Sequence, residues 1–157
     1  MDLFIAIFQG IIIASTPLVL AAVGELVVEK SGVLNLGVEG MMIIGAVTSF
    51  IVTYETGSHF LGLIAAVISA GLVASLFGLL TQYLLSNQVA TGLALTLFGL
   101  GLASLIGQTY SGISLDTFPV FDVYLLTEIP IIGSLLFNFD YLIYLSIIIV
   151  VSVYYFL

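Results

Sequence analysis

Long apolar runs, separated by short polar breaks, constrain the fold of this chain most strongly. A helix needs roughly 20 mostly apolar residues to cross a bilayer, and each run is about that long. Lipid allows only helices or closed barrels, and barrel strands alternate apolar and polar residues over about 10 positions. The continuous runs therefore predict an all-α integral membrane protein, a polytopic helical bundle with about five spans at residues 3–28, 33–54, 60–85, 89–107 and 141–157.

Composition excludes several classes of protein. Charged residues make up 6% of the chain and hydrophobic residues 62%, whereas a soluble domain carries about 25% charged residues. With a single Lys or Arg and a net charge of −8, no basic patch exists to bind nucleic acid. The chain has no cysteine, which removes disulfides and thiolate metal sites. The N-terminus lacks a basic region before its apolar run, so a cleavable signal peptide is not expected.

Lys30, the only basic residue, predicts the topology. The positive-inside rule puts it in the cytoplasm, and five spans then alternate from that point. Residues 55–59 and a long acidic loop at 108–140 would lie outside, and residues 86–88 and the Leu157 end would lie inside. Within the long loop, residues 129–137 are apolar but too short to span, which is typical of an interfacial or re-entrant segment. We treat residues 1–157 as one transmembrane domain.

Small residues recur four apart in two of the predicted spans. In lipid, such seams let helix backbones approach closely. The pattern favours a tight helix–helix contact along the longer seam over the alternative that Gly and Ala are simply common in such chains. The longer seam is formed by Gly62, Ala66, Ala70, Ala74 and Gly78, and a shorter one by Gly99, Ala103 and Gly107.

Residues 24–45 are the polar part of an otherwise apolar chain. They contain Lys30 and three of the nine acidic residues. Glu39 lies within a predicted span, where a carboxylate is costly unless it is paired or faces water. It could line a substrate path, or it could be a structural carboxylate that accepts backbone N–H bonds where glycines unwind the helix. The glycines permit a discontinuous helix here; if the stretch is helical, Gly32, Asn35 and Glu39 share one face.

Other polar positions have more modest interpretations. Glu25, Glu29 and Lys30 are typical of a solvated helix end. Asn87 and Gln88 either mark the start of a helix, where Asn is a good N-cap, or line the cytoplasmic end of a path, with the cap favoured. His59 is the only histidine, so no metal site is predicted. No catalytic motif or phosphate-binding glycine loop is present, so the chain is not expected to be an enzyme or to bind ATP.

Three segments resemble the permease subunits of bacterial ABC importers, in the branch for nucleosides and simple sugars that is related to ribose and branched-chain amino acid permeases. Residues 24–46 read GELVVEKSGVLNLGVEGMMIIGA, residues 87–107 read NQVATGLALTLFGLGLASLIG, and residues 129–145 read IPIIGSLLFNFDYLIYL. They follow the family order and cover most of the chain.

The resemblance implies a multi-pass cell-membrane subunit that moves substrate by alternating access. Two cytoplasmic ATPase subunits would bind ATP and Mg²⁺ and drive it, a second permease subunit would complete the pathway, and an external lipoprotein would deliver substrate. The chain itself would hold no cofactor. The resemblance also implies a core of the substrate pathway, with two further residues near it: Gly32, Asn35, Gly37, Glu39 and Gly40, then Asn87 and Thr91.

One departure from the family concerns the end of the chain. Family members continue into a basic cytoplasmic loop, whose coupling helix docks on the ATPase, and then into further spans. This chain ends at Leu157 while still apolar, so we expect it to be a fragment that cannot couple to ATP hydrolysis as given. Two alternatives stay open: a structural or assembly protein of the membrane, and a transporter of the same class for branched-chain amino acids.

Overall fold

The computed structural model describes residues 2–116 and 139–157, and five α-helices account for most of them. The polar breaks of the sequence lie between these helices. A short π-helix, Leu79–Tyr83, extends α3, and a 3₁₀ turn, Gln108–Tyr110, extends α4. The α-helices are α1 (Asp2–Lys30), α2 (Val38–Thr56), α3 (His59–Gly78), α4 (Gln88–Gly107) and α5 (Tyr141–Phe156).

Four helical stretches in the described part are long and apolar enough to cross a membrane, namely Leu3–Lys30, Val38–Thr56, His59–Tyr83 and Gln88–Tyr110. The fifth helix, α5, is apolar and 16 residues long. The prediction of an all-α, multi-pass membrane fold is therefore confirmed.

The helices follow the predicted spans closely except at the second, which begins at Val38 rather than at residue 33. Most of the predicted external loop at 108–140, including the interfacial segment at 129–137, lies outside the described residues. The treatment of residues 1–157 as one domain stays a prediction.

By its contacts the chain divides into two compact units, residues 1–27 with 117–157 and residues 28–116. In the first unit, α1 runs through Pro17 as one helix. The hydroxyls of Ser15 and Thr16 donate to the Ile12 carbonyl at 3.1 and 2.8 Å, so polar side chains in this apolar helix are satisfied internally. A cavity of about 250 Å³ between α1 and α5 is lined in part by Ser15, Thr16 and Ser146.

In the second unit, α2 packs against both α3 and α4. A small apolar core lies where the three helices meet, and each of its side chains is less than a tenth exposed. The core residues are Met41, Ile44, Val73, Phe77 and Leu95. This core holds α2 in place and so positions the non-helical residues that precede it.

The longer small-residue seam on α3 makes contact along only part of its length. A Cβ placed on Gly45 of α2 would lie 3.5 Å from the Ala66 carbonyl oxygen and 3.6 Å from the Ala70 Cβ. Beyond Ala70 the seam leaves this interface: Ala74 is exposed, and a Cβ on Gly78 would meet no atom of the described residues within 4 Å. The larger side chains of Val73 and Phe77 fill the core there instead. The predicted contact is confirmed for the first half of the seam, and the second half makes no such contact among the residues that the structure describes.

The ends of the second unit agree with the predicted pairing of its loops. At one end, the Tyr110 hydroxyl donates to Glu55 Oε1 at 2.9 Å, and His59 Nε2 lies 3.0 Å from the Asp116 carbonyl oxygen. The α2–α3 turn and the segment after α4 therefore share one end. At the other end, Leu34 meets Gln88. Which end faces the cytoplasm stays a prediction.

Candidate functional site

The first part of the candidate site is a break between α1 and α2 that begins at Gly32. The Gly32 amide donates to the Glu29 carbonyl at 2.9 Å and the Val33 amide to the Val28 carbonyl at 3.3 Å. This pair of bonds is the Schellman arrangement that ends a helix, and it needs a left-handed residue at its centre. Gly32 has φ +85°, so it terminates α1. It is exposed at this turn.

Asn35 shapes the next part of the break. Its side chain is 7% exposed, and its Oδ1 accepts a hydrogen bond from the Gly37 amide at 2.9 Å. Such a side-chain bond to the backbone two residues on competes with helix formation. Helix α2 therefore starts at Val38, and residues 33–37 stay non-helical. The shared helical face expected for Gly32, Asn35 and Glu39 does not form, whereas the discontinuity that the glycines permit does.

Two side chains of α4 hold the break in place. Gln88 Oε1 accepts from the Leu34 amide at 2.8 Å, and Thr96 Oγ1 donates to the Leu36 carbonyl at 2.9 Å. Non-helical backbone in a membrane is tolerated only where protein or a watery cavity satisfies it. These bonds provide that satisfaction for backbone groups that α2 leaves unpaired.

Close glycine contacts bring the start of α2 directly against α4. A Cβ on Gly92 would lie 2.8 Å from the Leu36 amide nitrogen and 2.9 Å from that of Gly37. A Cβ on Gly99 would lie 2.6 Å from both the Cα and the carbonyl oxygen of Gly40. Real Cβ atoms do not approach backbone so closely, so these positions need glycine. Gly99 belongs to the shorter seam of small residues.

Glu39 lies in the first turn of α2, and its side chain is exposed on this unit. Among residues 2–116 and 139–157, no hydrogen bond or ion pair to its carboxylate occurs. The described residues therefore do not form the structural arrangement in which unwound backbone amides would bind this carboxylate. A carboxylate in the first turn is favourably placed relative to the helix dipole, but it stays available to a group outside this unit.

The second part of the candidate site lies at the start of α4. Asn87 caps the helix, since its Oδ1 accepts from the Ala90 amide at 3.0 Å; the capping interpretation is confirmed. Asn87 and Thr91 also line a surface cavity of about 510 Å³ together with Ser86 and six apolar residues of α3, the π-helix and α4. The capping role and the lining role therefore coexist.

The structure brings five of the seven predicted site residues to the first three turns of α4. Asn35, Gly37 and Gly40 pack near or against it, Asn87 and Thr91 belong to it or cap it, and Glu39 follows in the first turn of α2. Gly32 stands apart at the end of α1. The sequence analysis considered Gln88 only beside Asn87, as a helix start or a path-lining residue, and did not include Thr96 or Gly92. Gln88 carried a signal, because it continues the polar break at Asn87, whereas nothing in the sequence distinguishes Thr96 from other span hydroxyls.

Comparison with known proteins identifies the family. Residues 7–157 match the family described as the permease component of branched-chain amino acid transport systems. The chain spans a little under half the length of the curated relatives it matches. No solved structure matches it significantly.

Three curated relatives are all described as permease proteins of ABC transporters. The chain is 40% identical over 149 residues to the putative glucose ABC transporter permease protein TsgC13 of Haloferax volcanii, covering 92% of this chain and 45% of that protein. It is 28% identical to the nucleoside ABC transporter permease protein NupC of Lactococcus lactis, over 84% and 45% of the two chains. It is 29% identical to the guanosine ABC transporter permease protein NupQ of Bacillus subtilis, over 82% and 42%.

The apolar helices and the family match agree on a multi-pass protein of the cell membrane. A broken segment between two membrane helices, buried against a third, is the kind of backbone irregularity that transporters carry. The chain belongs to the family of permease components of branched-chain amino acid transport systems.

Proposed function

We propose that the chain is the N-terminal part of the permease subunit of an ABC importer that moves nucleosides or related simple sugars inward. The names of the relatives, which refer to glucose, nucleosides and guanosine, support this substrate range. In the proposed mechanism the permease alternates between outward- and inward-open states. Two cytoplasmic ATPase subunits bind ATP and Mg²⁺ and drive the change, a second permease subunit completes the pathway, and an external lipoprotein delivers the substrate.

The observation that carries the proposal is the break at residues 32–37, seated on the first turns of α4. Gln88 accepts from its Leu34 amide and Thr96 donates to its Leu36 carbonyl, while the carboxylate of Glu39 stays exposed beside it. An ionisable group within a span is expensive and in membrane proteins serves a path or a partner. A purely structural membrane protein needs the small-residue contacts but not this carboxylate.

In this proposal the pathway residues have different tasks. Gly37 and Gly40 allow the close approach to α4, and Asn35 holds the shape of the break through its bond to Gly37. Glu39 presents a hydrogen-bond acceptor to hydroxyl or amine groups of the substrate. Asn87 and Thr91 line the cavity at the start of α4. Gly32 acts indirectly, because it ends α1 and starts the break.

The proposal is tested by uptake of labelled uridine or adenosine in the assembled transporter that contains this chain. Glu39→Gln removes the charge, and Asn35→Leu removes the bond to Gly37. We expect Glu39→Gln to lower uptake by about tenfold, because a bond to a neutral amide oxygen is about 1.4 kcal/mol weaker than a bond to a carboxylate. We expect a similar fall for Asn35→Leu, because the break loses one hydrogen bond of about 1 kcal/mol. Glu29→Gln, at the exposed end of α1, is the matched control and should leave uptake unchanged. Normal expression with undiminished uptake in both test variants would remove the pathway role of these residues.

A transporter of the same class for branched-chain amino acids is the second candidate. The name of the matching family favours it. The two candidates differ in their substrate, since leucine carries its own ammonium and carboxylate whereas nucleosides and sugars are neutral. An uptake panel that includes leucine separates them.

A further inference from the structure

The cavity at the junction of α3 and α4 has one polar end and apolar walls. Its volume is about 510 Å³, within the range of about 300–1,000 Å³ that is usual for small-molecule sites. Asn87, Thr91 and Phe98 lie on one face of α4, four and then seven residues apart, so the polar end continues directly into the apolar wall. Leu76 and Leu80 provide the opposite wall.

The polar end offers a donor and an acceptor. Ser86 Oγ donates to the Leu80 carbonyl at 2.8 Å, which uses its single proton. The proton in the 2.8 Å bond between Ser86 Oγ and Thr91 Oγ1 must then come from Thr91. Thr91 Oγ1 therefore keeps its lone pairs as acceptors.

Asn87 supplies the donor. Its Oδ1 accepts from the Ala90 amide, and Nδ2 of the same side chain carries two N–H donors that this bond does not use. The cavity thus presents an amide donor and a hydroxyl acceptor one helical turn apart, above a largely apolar surface.

This arrangement discriminates between the two substrate classes of the proposed function, on which the inference rests. A nucleobase has flat apolar faces and an edge on which donors and acceptors stand side by side, and such faces pack well on leucine and phenylalanine. A free sugar carries hydroxyls around its whole ring, and those against the apolar wall would lose their bonds to water without replacement. We infer that this cavity binds the base of a nucleoside, with Asn87 and Thr91 holding its edge, and that the transporter therefore prefers nucleosides to free sugars.

The backbone around the cavity is irregular in a way that agrees with a binding site. The last turn before it, Leu79–Tyr83, is a π-helix, and such turns occur frequently at functional sites. Leu85 follows with φ +54°, a left-handed conformation that costs free energy in a non-glycine residue. This turn places the Ser86 hydroxyl where it donates to the Leu80 carbonyl. The Thr91 hydroxyl must then donate to Ser86, so the lone pairs of Thr91 Oγ1 stay available as acceptors.

The experiment compares two nearly isosteric variants in the assembled transporter. Asn87→Asp keeps the acceptor that caps α4 but removes the amide donor, and Thr91→Val removes the hydroxyl acceptor. We expect each to lower uptake of labelled uridine and adenosine about tenfold without a matching loss for ribose or glucose. Thr56→Val, at the far end of α2, is the control and should change neither. Unchanged nucleoside uptake in both variants, or an equal fall for ribose, overturns the inference.

A second measurement does not depend on how well a variant folds. The wild-type transporter is photolabelled with 8-azidoadenosine, and the label is mapped by mass spectrometry. We expect the label on residues 76–98, with protection by excess adenosine and none by glucose; a label elsewhere, or equal protection by glucose, contradicts the site. A wild type that carries sugars but no nucleosides overturns this inference and leaves the proposed function standing. A wild type that carries neither refutes the proposed function itself.

Discussion

Gly40 of α2 and Gly99 of α4 approach so closely that the backbone of one occupies the place of a side chain on the other. A Cβ on Gly99 would lie 2.6 Å from the Gly40 Cα, and a Cβ on Gly40 would lie 2.5 Å from the Leu95 carbonyl oxygen. This contact joins the start of α2, just after the break, to the helix that holds the break.

Gly99→Ala should destabilise the protein by about 1–3 kcal/mol, because the methyl group must push apart two backbones in a packed interface. Gly101→Ala, two residues along the same helix, is the control, since a Cβ there meets no atom within 4 Å in the described part of the chain. It should stabilise the helix by about 0.5–1 kcal/mol. Thermal unfolding of the detergent-purified subunit measures both. Similar melting temperatures for the two variants would contradict the close contact.

Leu85→Gly should leave stability unchanged or raise it by up to about 1 kcal/mol, although the leucine is lost. The left-handed conformation of Leu85 costs about 1–2 kcal/mol in a non-glycine residue, and glycine removes that cost while adding chain entropy to the unfolded state. Leu84→Gly is the control, because Leu84 is also exposed but has a right-handed φ of −87°. It should lose about 1 kcal/mol. Equal losses in both variants would mean that Leu85 carries no strain.

Gln88→Met should loosen the break without unfolding the helices. It removes the acceptor of the Leu34 amide at nearly constant side-chain length, and one hydrogen bond is worth about 1 kcal/mol. Hydrogen exchange of residues 33–37, followed by mass spectrometry, should therefore accelerate about fivefold. Gln88→Glu keeps an acceptor at the same place and should exchange as slowly as the wild type. Unaltered exchange in Gln88→Met would show that the break does not depend on this bond.

The helices could be predicted because apolar runs of spanning length leave few alternatives in lipid. The start of α2 could not, since the mixture of apolar residues, Asn35 and Gly37 at residues 33–37 permits either a helix or a break. What ends helicity there is the left-handed Gly32 together with the bond from Gly37 to Asn35, and a sequence shows that these are permitted but not that they form.

The candidate site was predictable in part for a similar reason. Glu39 and the glycines are conspicuous in an apolar chain, and Asn87 has the residue type of a helix cap. Gln88 and Thr96, by contrast, act through bonds to Leu34 and Leu36, 54 and 60 residues away in the chain. Such pairings depend on how α2 and α4 pack, which no local pattern encodes. Ala74 and Gly78 illustrate the same point. Their four-residue spacing continues the small-residue seam, but the spacing alone does not show where a partner helix lies against α3.

The most direct test of the account is an uptake panel in vesicles that contain the assembled transporter, with nucleosides, ribose, galactose and leucine as labelled substrates. We predict ATP-dependent uptake of nucleosides or sugars, and its reduction by Glu39→Gln. Uptake of leucine alone, or no ATP-dependent uptake of any of these substrates, would contradict the proposal that this chain belongs to an importer of nucleosides or sugars.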